Sequence, residues 1–238
     1  MKQKKIVLSH TMELPRLIVV GEKNIGKIGD FLKSLNNAKK VSLISGSNVK
    51  KIVQKKIDLS LGSSDIKKSW YLSKINDTKS IKEIEKNVQK NKTDLLIGVG
   101  GGRSVDIAKM IAFNLGKPFV SIPTSASHDG IASPFVSVKG KKPHSLVATA
   151  PLGVFVDVDI IKRAPKKLLA SGCGDLIAKI TAVHDWQLGN NKTGEYYGRY
   201  SAHLALMSAK ILIENSSRFA KKGPDVREIV EALISAGV

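Results

Sequence analysis

Residues 94–135 read DLLIGVGGGRSVDIAKMIAFNLGKPFVSIPTSASHDGIASPF, and this stretch decides the fold class. A short apolar run, Leu95 to Val99, ends in Gly100, Gly101 and Gly102. A helical pattern follows from Ser104 to Leu115, with Val105, Ala108, Met110, Ile111, Ala112 and Leu115 on its apolar side. A second short strand, Phe119 to Ile122, runs into a loop of small and polar residues. Strand, glycine turn, helix and strand in that order hold a phosphate. Glycine lets the backbone approach a ligand, and the helix N-terminus offers unpaired N–H groups at its positive dipole end. The run matches neither the GxGxxG fingerprint nor the GxxxxGK[ST] loop.

Outward from this crevice the same alternation continues. Leu17 to Val20 reads as a strand ending at Gly21, and Asn24 as the cap of a helix through about Leu35. Val41 to Ser45 is a second strand, followed by the turn Gly46-Ser47-Asn48 and a helix through about Ile57. Trp70 to Leu72 reads as a weaker strand, and Ser80 as the cap of a basic helix, Ile81 to Lys90, with Ile81, Ile84 and Val88 inward. Beyond the crevice, Phe135 to Val138 and Leu146 to Ala148 pair as a hairpin around a basic loop, Lys139 to Lys142, and Val154 to Val158 is the last strand. Alternating strands and helices predict a parallel α/β sheet, whose ligands sit past the carboxyl ends of the strands.

After Asp159 only helical periodicity remains: about Lys167 to Leu188, Glu195 to Phe219, and Asp225 to Ser235, with Pro165 and Pro224 at helix starts. Two domains are therefore expected, an α/β unit over residues 1–159 and an all-helical unit over residues 160–238.

Bulk properties narrow the class. The 238 residues are 42% hydrophobic, which supports a packed core. A single cysteine, Cys173, excludes an internal disulfide framework and reads as a small buried residue. The basic N-terminus, MKQKKIVLSH, has too short an apolar run for a signal peptide, and no run approaches the length of a membrane span. A cytoplasmic protein without membrane insertion is expected. The net charge of +19 is spread over helix faces and loops, and aromatics are only 5%. That pattern suits a small anionic ligand better than a nucleic acid, which needs stacking surfaces or a concentrated basic stripe.

Three constellations carry candidate chemistry. In the first, Gly100, Gly101, Gly102, Arg103, Ser104, Val105 and Asp106 form a pyrophosphate cradle with Ser104 as a hydroxyl donor; Asp106 either meets the ligand or pairs locally with Lys109. In the second, Thr124, Ser125, Ala126 and Ser127, with His128, Asp129 and Gly130, follow a strand beside that turn. They suit contact with a nicotinamide, a ribose or substrate hydroxyls, Asp129 for substrate and Ser133 for cofactor, whereas the bland reading is an ordinary hydroxyl-rich loop. In the third, Asp175 and Lys179 stand four apart on one helix face. By spacing alone that is a salt bridge, and the alternative is a metal carboxylate. His184 and His203 show no metal-ligand spacing and read as structural or exposed.

Taken together, GVGGGRSVDIAK, SIPTSASHDGIASPFVSV, KKPHS and APKKLLASGCGDLIAKITAVHDW resemble the archaeal-type glycerol-1-phosphate dehydrogenase family, in the wider superfamily of iron-containing alcohol dehydrogenases, glycerol dehydrogenases and dehydroquinate synthases. The resemblance runs in order from about Leu17 to Val238. It implies an α/β dinucleotide-binding domain followed by a helical domain, with a zinc ion in the cleft between, and reduction of dihydroxyacetone phosphate by NADH or NADPH for phospholipid-backbone biosynthesis. It implies cofactor contacts at Gly102 to Asp106, Thr124 to Ser127 and Ser133, substrate contacts at Asp129 and Asp175, and the first zinc ligand at Asp175, reversing the spacing-only reading of that residue. The family's other two zinc ligands are histidines beyond a segment resembling EALISAGV, where this chain ends. His184 and His203 do not stand at matching positions, so the resemblance implies a chain shortened at its C-terminus, inactive alone, from a protein that forms a homo-oligomer when full length. The competing expectations are a glycerol-type polyol dehydrogenase of the same fold and a non-catalytic nucleotide-binding fragment. The turn after the second strand lacks an acidic residue, and Lys50 and Lys51 lie nearby, which is compatible with either NAD or NADP.

Overall fold

The computed structural model describes residues 12–35, 38–75, 77–138, 144–223 and 225–238. Six strands form one parallel sheet in the order β1-β8-β5-β4-β2-β3: β1 (Leu17–Gly21), β2 (Lys40–Ser45), β3 (Lys67–Leu72), β4 (Leu95–Gly100), β5 (Phe119–Pro123) and β8 (Gly153–Asp157). β6 (Phe135–Val138) and β7 (His144–Val147) make a separate antiparallel hairpin, with Phe135 opposite Val147. The intervening basic loop lies outside the described residues.

Apolar residues on both faces of the central strands explain why the sheet is covered on both sides. On one face, α1 (Ile28–Leu35) and α2 (Ser47–Ser63) pack Phe31, Leu32, Val53, Ile57 and Leu61 against Leu43, Ile97 and Phe155. On the other, α3 (Thr78–Lys90) and α4 (Gly102–Leu115) pack Ile84, Val88, Ile107 and Ile111 against Ile44, Leu96 and Phe119. Gly98 in β4 lets α4 sit close, because a Cβ there would stand 2.9 Å from the Cα of Val105.

After β8 every described element is helical: α5 (Val158–Ile161), α6 (Lys166–Thr193), α7 (Arg199–Glu214), α8 (Ser216–Lys222) and α9 (Val226–Gly237). Ile229, Val230, Leu233 and Leu176 join Val154 and Val156 of β8 in a third core, which ties the helices to the sheet. Ile177, Leu188, Tyr200, Met207 and Ile213 remain exposed on α6 and α7.

Four local expectations need correction. Asn24 does not cap a regular helix: a 3-10 turn, Asn24–Lys27, precedes α1, and the Asn24 side chain instead donates to the Val156 carbonyl at 3.0 Å. Asp77, not Ser80, caps α3. The Ser80 amide donates to Asp77 Oδ1 at 2.7 Å, so the helix starts three residues early. β3 begins at Lys67, before the apolar residues that marked it, because its ladder to β2 already starts at Lys40. Residues 195–219 are not one helix. Gly194, at φ 73°, ends α6, and Trp186 then holds residues 196 and 197 over the helix, donating from Nε1 to the Tyr196 carbonyl at 2.6 Å and packing on Tyr197. A second break falls at Asn215, whose side-chain amide donates to the Ile211 carbonyl at 2.8 Å and closes the end of α7.

Candidate active site

The glycine turn links β4 to α4. Gly100 adopts φ 149°, a conformation L-residues rarely take, and Gly101 is the N-cap of α4 with no side chain capping it. The Ser104 amide bonds back to the Gly101 carbonyl at 3.0 Å, whereas the amides at the very start of a helix lack intrahelical acceptors, so Gly102 and Arg103 can present theirs to an anion. The turn is stitched to the next strand by a bond from the Thr124 amide to the Gly100 carbonyl, 3.0 Å. Close by, the Ser125 hydroxyl would lie 3.3 Å from a Cβ placed on Gly101. That hydroxyl is buried and makes no hydrogen bond within the protein. An orphaned buried donor beside an uncapped helix start fits a phosphate-bearing ligand.

The neighbouring side chains behave differently from the sequence expectation. The Ser104 hydroxyl is buried and pairs with the Ser73 hydroxyl at 2.8 Å, tying α4 to the segment after β3. Arg103 reaches away from the turn and donates to the Lys74 carbonyl at 2.9 Å. Asp106 is buried and accepts from the Ser137 amide at 3.2 Å, so it fastens the hairpin to α4. Burial pushes its carboxyl above the ordinary range, against the pull of the Lys109 ammonium.

Two cavities flank the 124–130 loop. The first, about 220 Å³, has apolar walls from Val49, Ile52, Ile160 and Leu168, with Gly101, Thr124 and Ser125 also lining it and Arg163 present. Its apolar lining beside the glycine turn suits a heterocycle attached to phosphates. The second, also about 220 Å³, is lined by Asp106, His128, Asp129, Ser133, Ser137 and Ser145, among others. His128, in the lining of the second, fills the space a Cβ on Gly102 would need, and its Nδ1 accepts from the Gly130 amide at 2.8 Å. Ser133 lines the second cavity, but its hydroxyl accepts from the Phe135 amide at 3.1 Å. Ala126 is buried and Ser127 half-buried.

The helical region completes the loop's surroundings. Gly172 on α6 lies against the Ala126 carbonyl, and Gly237 on α9 is so close that a Cβ would stand 2.5 Å from the Asp129 carbonyl. One turn along α6, Asp175 Oδ2 accepts from the Asp129 amide at 2.9 Å. Lys179 Nζ donates to Asp129 Oδ2 at 2.5 Å and stands 3.8 Å from Asp175 Oδ1. The i, i+4 pair of Asp175 and Lys179 therefore exists, yet the nearer partner of Lys179 is Asp129.

Among the described residues, no group of three His, Cys, Asp or Glu stands close enough to hold a metal ion. A catalytic zinc normally takes three protein ligands. Asp175 with its neighbours thus does not make a metal centre from the described residues. His203 is exposed, with Nδ1 on the Arg199 carbonyl at 2.5 Å, and His184 is exposed on α6.

Sequence reasoning missed four contributors: Lys109, His128 as a wedge, and the close approaches at Gly172 and Gly237. A charged residue four places from Val105, on the same face of α4, was a usable signal for Lys109. The glycine approaches had none, since their partners are distant in sequence.

A family model described as "Iron-containing alcohol dehydrogenase" matches residues 19–165. A protein of Nitrosopumilus maritimus named glycerol-1-phosphate dehydrogenase [NAD(P)+] is 65% identical over 230 residues, covering 97% of this chain and 65% of that protein. A like-named protein of Cenarchaeum symbiosum is 61% identical over 97% of this chain and 65% of its own length. The chain thus spans about 65% of the length of these relatives. Among solved structures, a glycerol dehydrogenase from Schizosaccharomyces pombe superposes with a TM-score of 0.84 at 22% identity, over 96% of this chain and 61% of that one. A probable glycerol dehydrogenase from Sinorhizobium meliloti gives 0.83 at 20% identity, over 96% and 66%. These two likenesses show the fold.

Proposed function

The chain belongs to the iron-containing alcohol dehydrogenase family, and within it we propose that it is the nucleotide-binding and substrate-loop portion of an NAD(P)-dependent glycerol-1-phosphate dehydrogenase. The observation that carries this is the unpartnered, buried Ser125 hydroxyl beside the uncapped start of α4. The names of these two relatives supply the substrate class.

On this reading Val49, Ile52, Ile160 and Leu168 would hold the adenosine half of NAD(P)H, Gly101 and Gly102 its pyrophosphate, and Ser133 and Asp129 would line the space for its nicotinamide and the substrate. When bound, NAD(P)H would supply hydride to the ketone carbon of dihydroxyacetone phosphate, with a solvent proton completing the alcohol of sn-glycerol 1-phosphate. The cofactor carries the hydride, while the protein orients the reactants and excludes water. Asp129, fixed through its amide by Asp175 and through its carboxylate by Lys179, is the group assigned to substrate hydroxyls. Ser104, paired with Ser73, ties the turn to the segment after β3. The net charge of +19 favours an anionic substrate and cofactor.

The zinc reading rests on the family resemblance, with Asp175 as the one ligand it assigns within this chain. The two-domain division near residue 160, the cytoplasmic location, the homo-oligomeric state and the role in phospholipid-backbone synthesis belong to the same proposal. Among the described residues, no helix is long and apolar enough to cross a membrane.

The test is loss of reduced-nicotinamide absorbance on adding dihydroxyacetone phosphate to protein made from the complete reading frame. Oxidation of NADH or NADPH with this substrate, and not with dihydroxyacetone, is the expected result. No substrate-dependent change would overturn the reading.

A further inference from the structure

Lys109 is a fully buried lysine to which the reaction above gives no part. It lies two turns into α4, the helix whose start forms the glycine turn. Its Nζ donates to three main-chain carbonyls: Gly130 at 2.9 Å, Ser133 at 2.5 Å and Phe135 at 2.8 Å. An ammonium has three N–H donors, and all three are used on one six-residue stretch. The stretch begins next to Asp129 and contains Ser133, so it is the floor of the second cavity.

A buried ammonium is costly, and a methionine would fill the same space without the desolvation penalty. What methionine cannot do is draw three carbonyls toward one point. Without that point the carbonyls would be left facing apolar side chains of α4, and the loop would turn toward water. Three other groups locate the same loop: the Asp106 carboxylate at Ser137, the Asp175 carboxylate at the Asp129 amide, and the bare Gly237 against the Asp129 carbonyl. Only Lys109 and Asp106 of these sit on the helix that also carries the glycine turn. Because an α-helix is stiff over two turns, whatever α4 holds is fixed relative to the pyrophosphate site.

We propose that Lys109 is a positioning residue that sets the distance between the pyrophosphate turn and the nicotinamide and substrate half of the site. The inference rests on the functional reading above. It predicts a split response to ligands that occupy different halves. In the 238-residue chain, Lys109→Met should weaken NADPH binding about tenfold, the scale of one lost charge-assisted hydrogen bond. Binding of 2′,5′-ADP, which reaches only the first cavity and the turn, should change less than about twofold. Lys109→Gln, which keeps two N–H donors, should fall between. Titration calorimetry with both ligands on all three proteins reads this out. Equal weakening for both ligands, or no change in either, would overturn the inference.

Hydrogen exchange keeps the inference testable if the wild type binds neither ligand, the outcome that would instead count against the functional reading. The amides of residues 131–137 should exchange faster in Lys109→Met, with those of β2 and α2 unchanged. Uniform acceleration, or none, would sink the positioning role. Should Lys109→Met fail to fold, Lys109→Gln carries both measurements.

Discussion

The main-chain amide of Asp129 donates to the carboxylate of Asp175 at 2.9 Å, across 46 residues of sequence. The residue assigned to substrate is therefore located by its backbone, leaving its side chain to a second partner, Lys179. Removing the Asp175 acceptor leaves a half-buried amide unpaired. Asp175→Ala should lower the unfolding free energy by about 1–3 kcal/mol. Asp175→Asn keeps an acceptor oxygen and should recover most of that. Urea titration of the three proteins checks the order.

Gly172 and Gly174 lie two residues apart on α6 but differ in surroundings. A Cβ on Gly172 would collide with the Ala126 carbonyl, whereas one on Gly174 would meet nothing within 4 Å. Gly172→Ala should cost about 1–3 kcal/mol through overpacking and displace the 124–130 loop. Gly174→Ala should stabilise by about 0.5–1 kcal/mol, as alanine does in a helix interior. Thermal melts of the pair should show opposite signs.

Ser125→Ala separates stability from binding. The wild-type hydroxyl is buried without a partner, so its removal should leave the nucleotide-free chain unchanged or up to about 1 kcal/mol more stable. The same substitution should weaken NADPH binding severalfold. A parallel loss of stability would mean the hydroxyl is already satisfied inside the protein.

Lys109 gives stability a pH dependence of defined sign. Burial draws its pKa down from 10.5 to about 8, opposed by Asp106 and Asp129, and His128 lies near Asp106. Between these two values the unfolded chain still holds the proton that the folded chain has released. The unfolded state binds more protons there, so stability rises with pH across the window and is unaffected by this group below it. From about pH 8 to about pH 9.5 the gain is on the order of 2 kcal/mol. Denaturant titrations at the two pH values should show that rise in the wild type and a smaller one in Lys109→Met.

Much of the fold was legible because residues 94–135 combine two independent signals, a glycine triplet and a switch from strand to helix periodicity. The sheet's remaining strands follow from short apolar runs of the kind parallel sheets bury on both faces. Capping was less legible. Asp77 and Ser80 are both good cap types three residues apart, and only the bond between them decides which one starts the helix. The break at residues 194–198 depends on Trp186 reaching back over the chain, which periodicity does not register. In the site, residue spacing gave Asp175 only its pairing with Lys179, and it was the family resemblance that joined it to Asp129, whose amide it accepts from in the structure. Type alone did not show that the Ser104 hydroxyl pairs with Ser73, and it hid Lys109, since a lysine reads as surface unless its face is followed along the helix.

Among the described residues β1 pairs only with β8 in the sheet, and the Asn24 and Ile25 groups just after it bond to Val156 and Asp157, each 132 residues later. During synthesis the first strand has no neighbour until the last one has left the ribosome. β2, β3, β4 and β5 adjoin one another and can meet as they emerge, so the sheet should assemble from that side first, with its opening segment docking last. Until then that segment is an unpaired edge, and the flanking charges of Arg16, Glu22 and Lys23 keep such an edge from pairing with another copy.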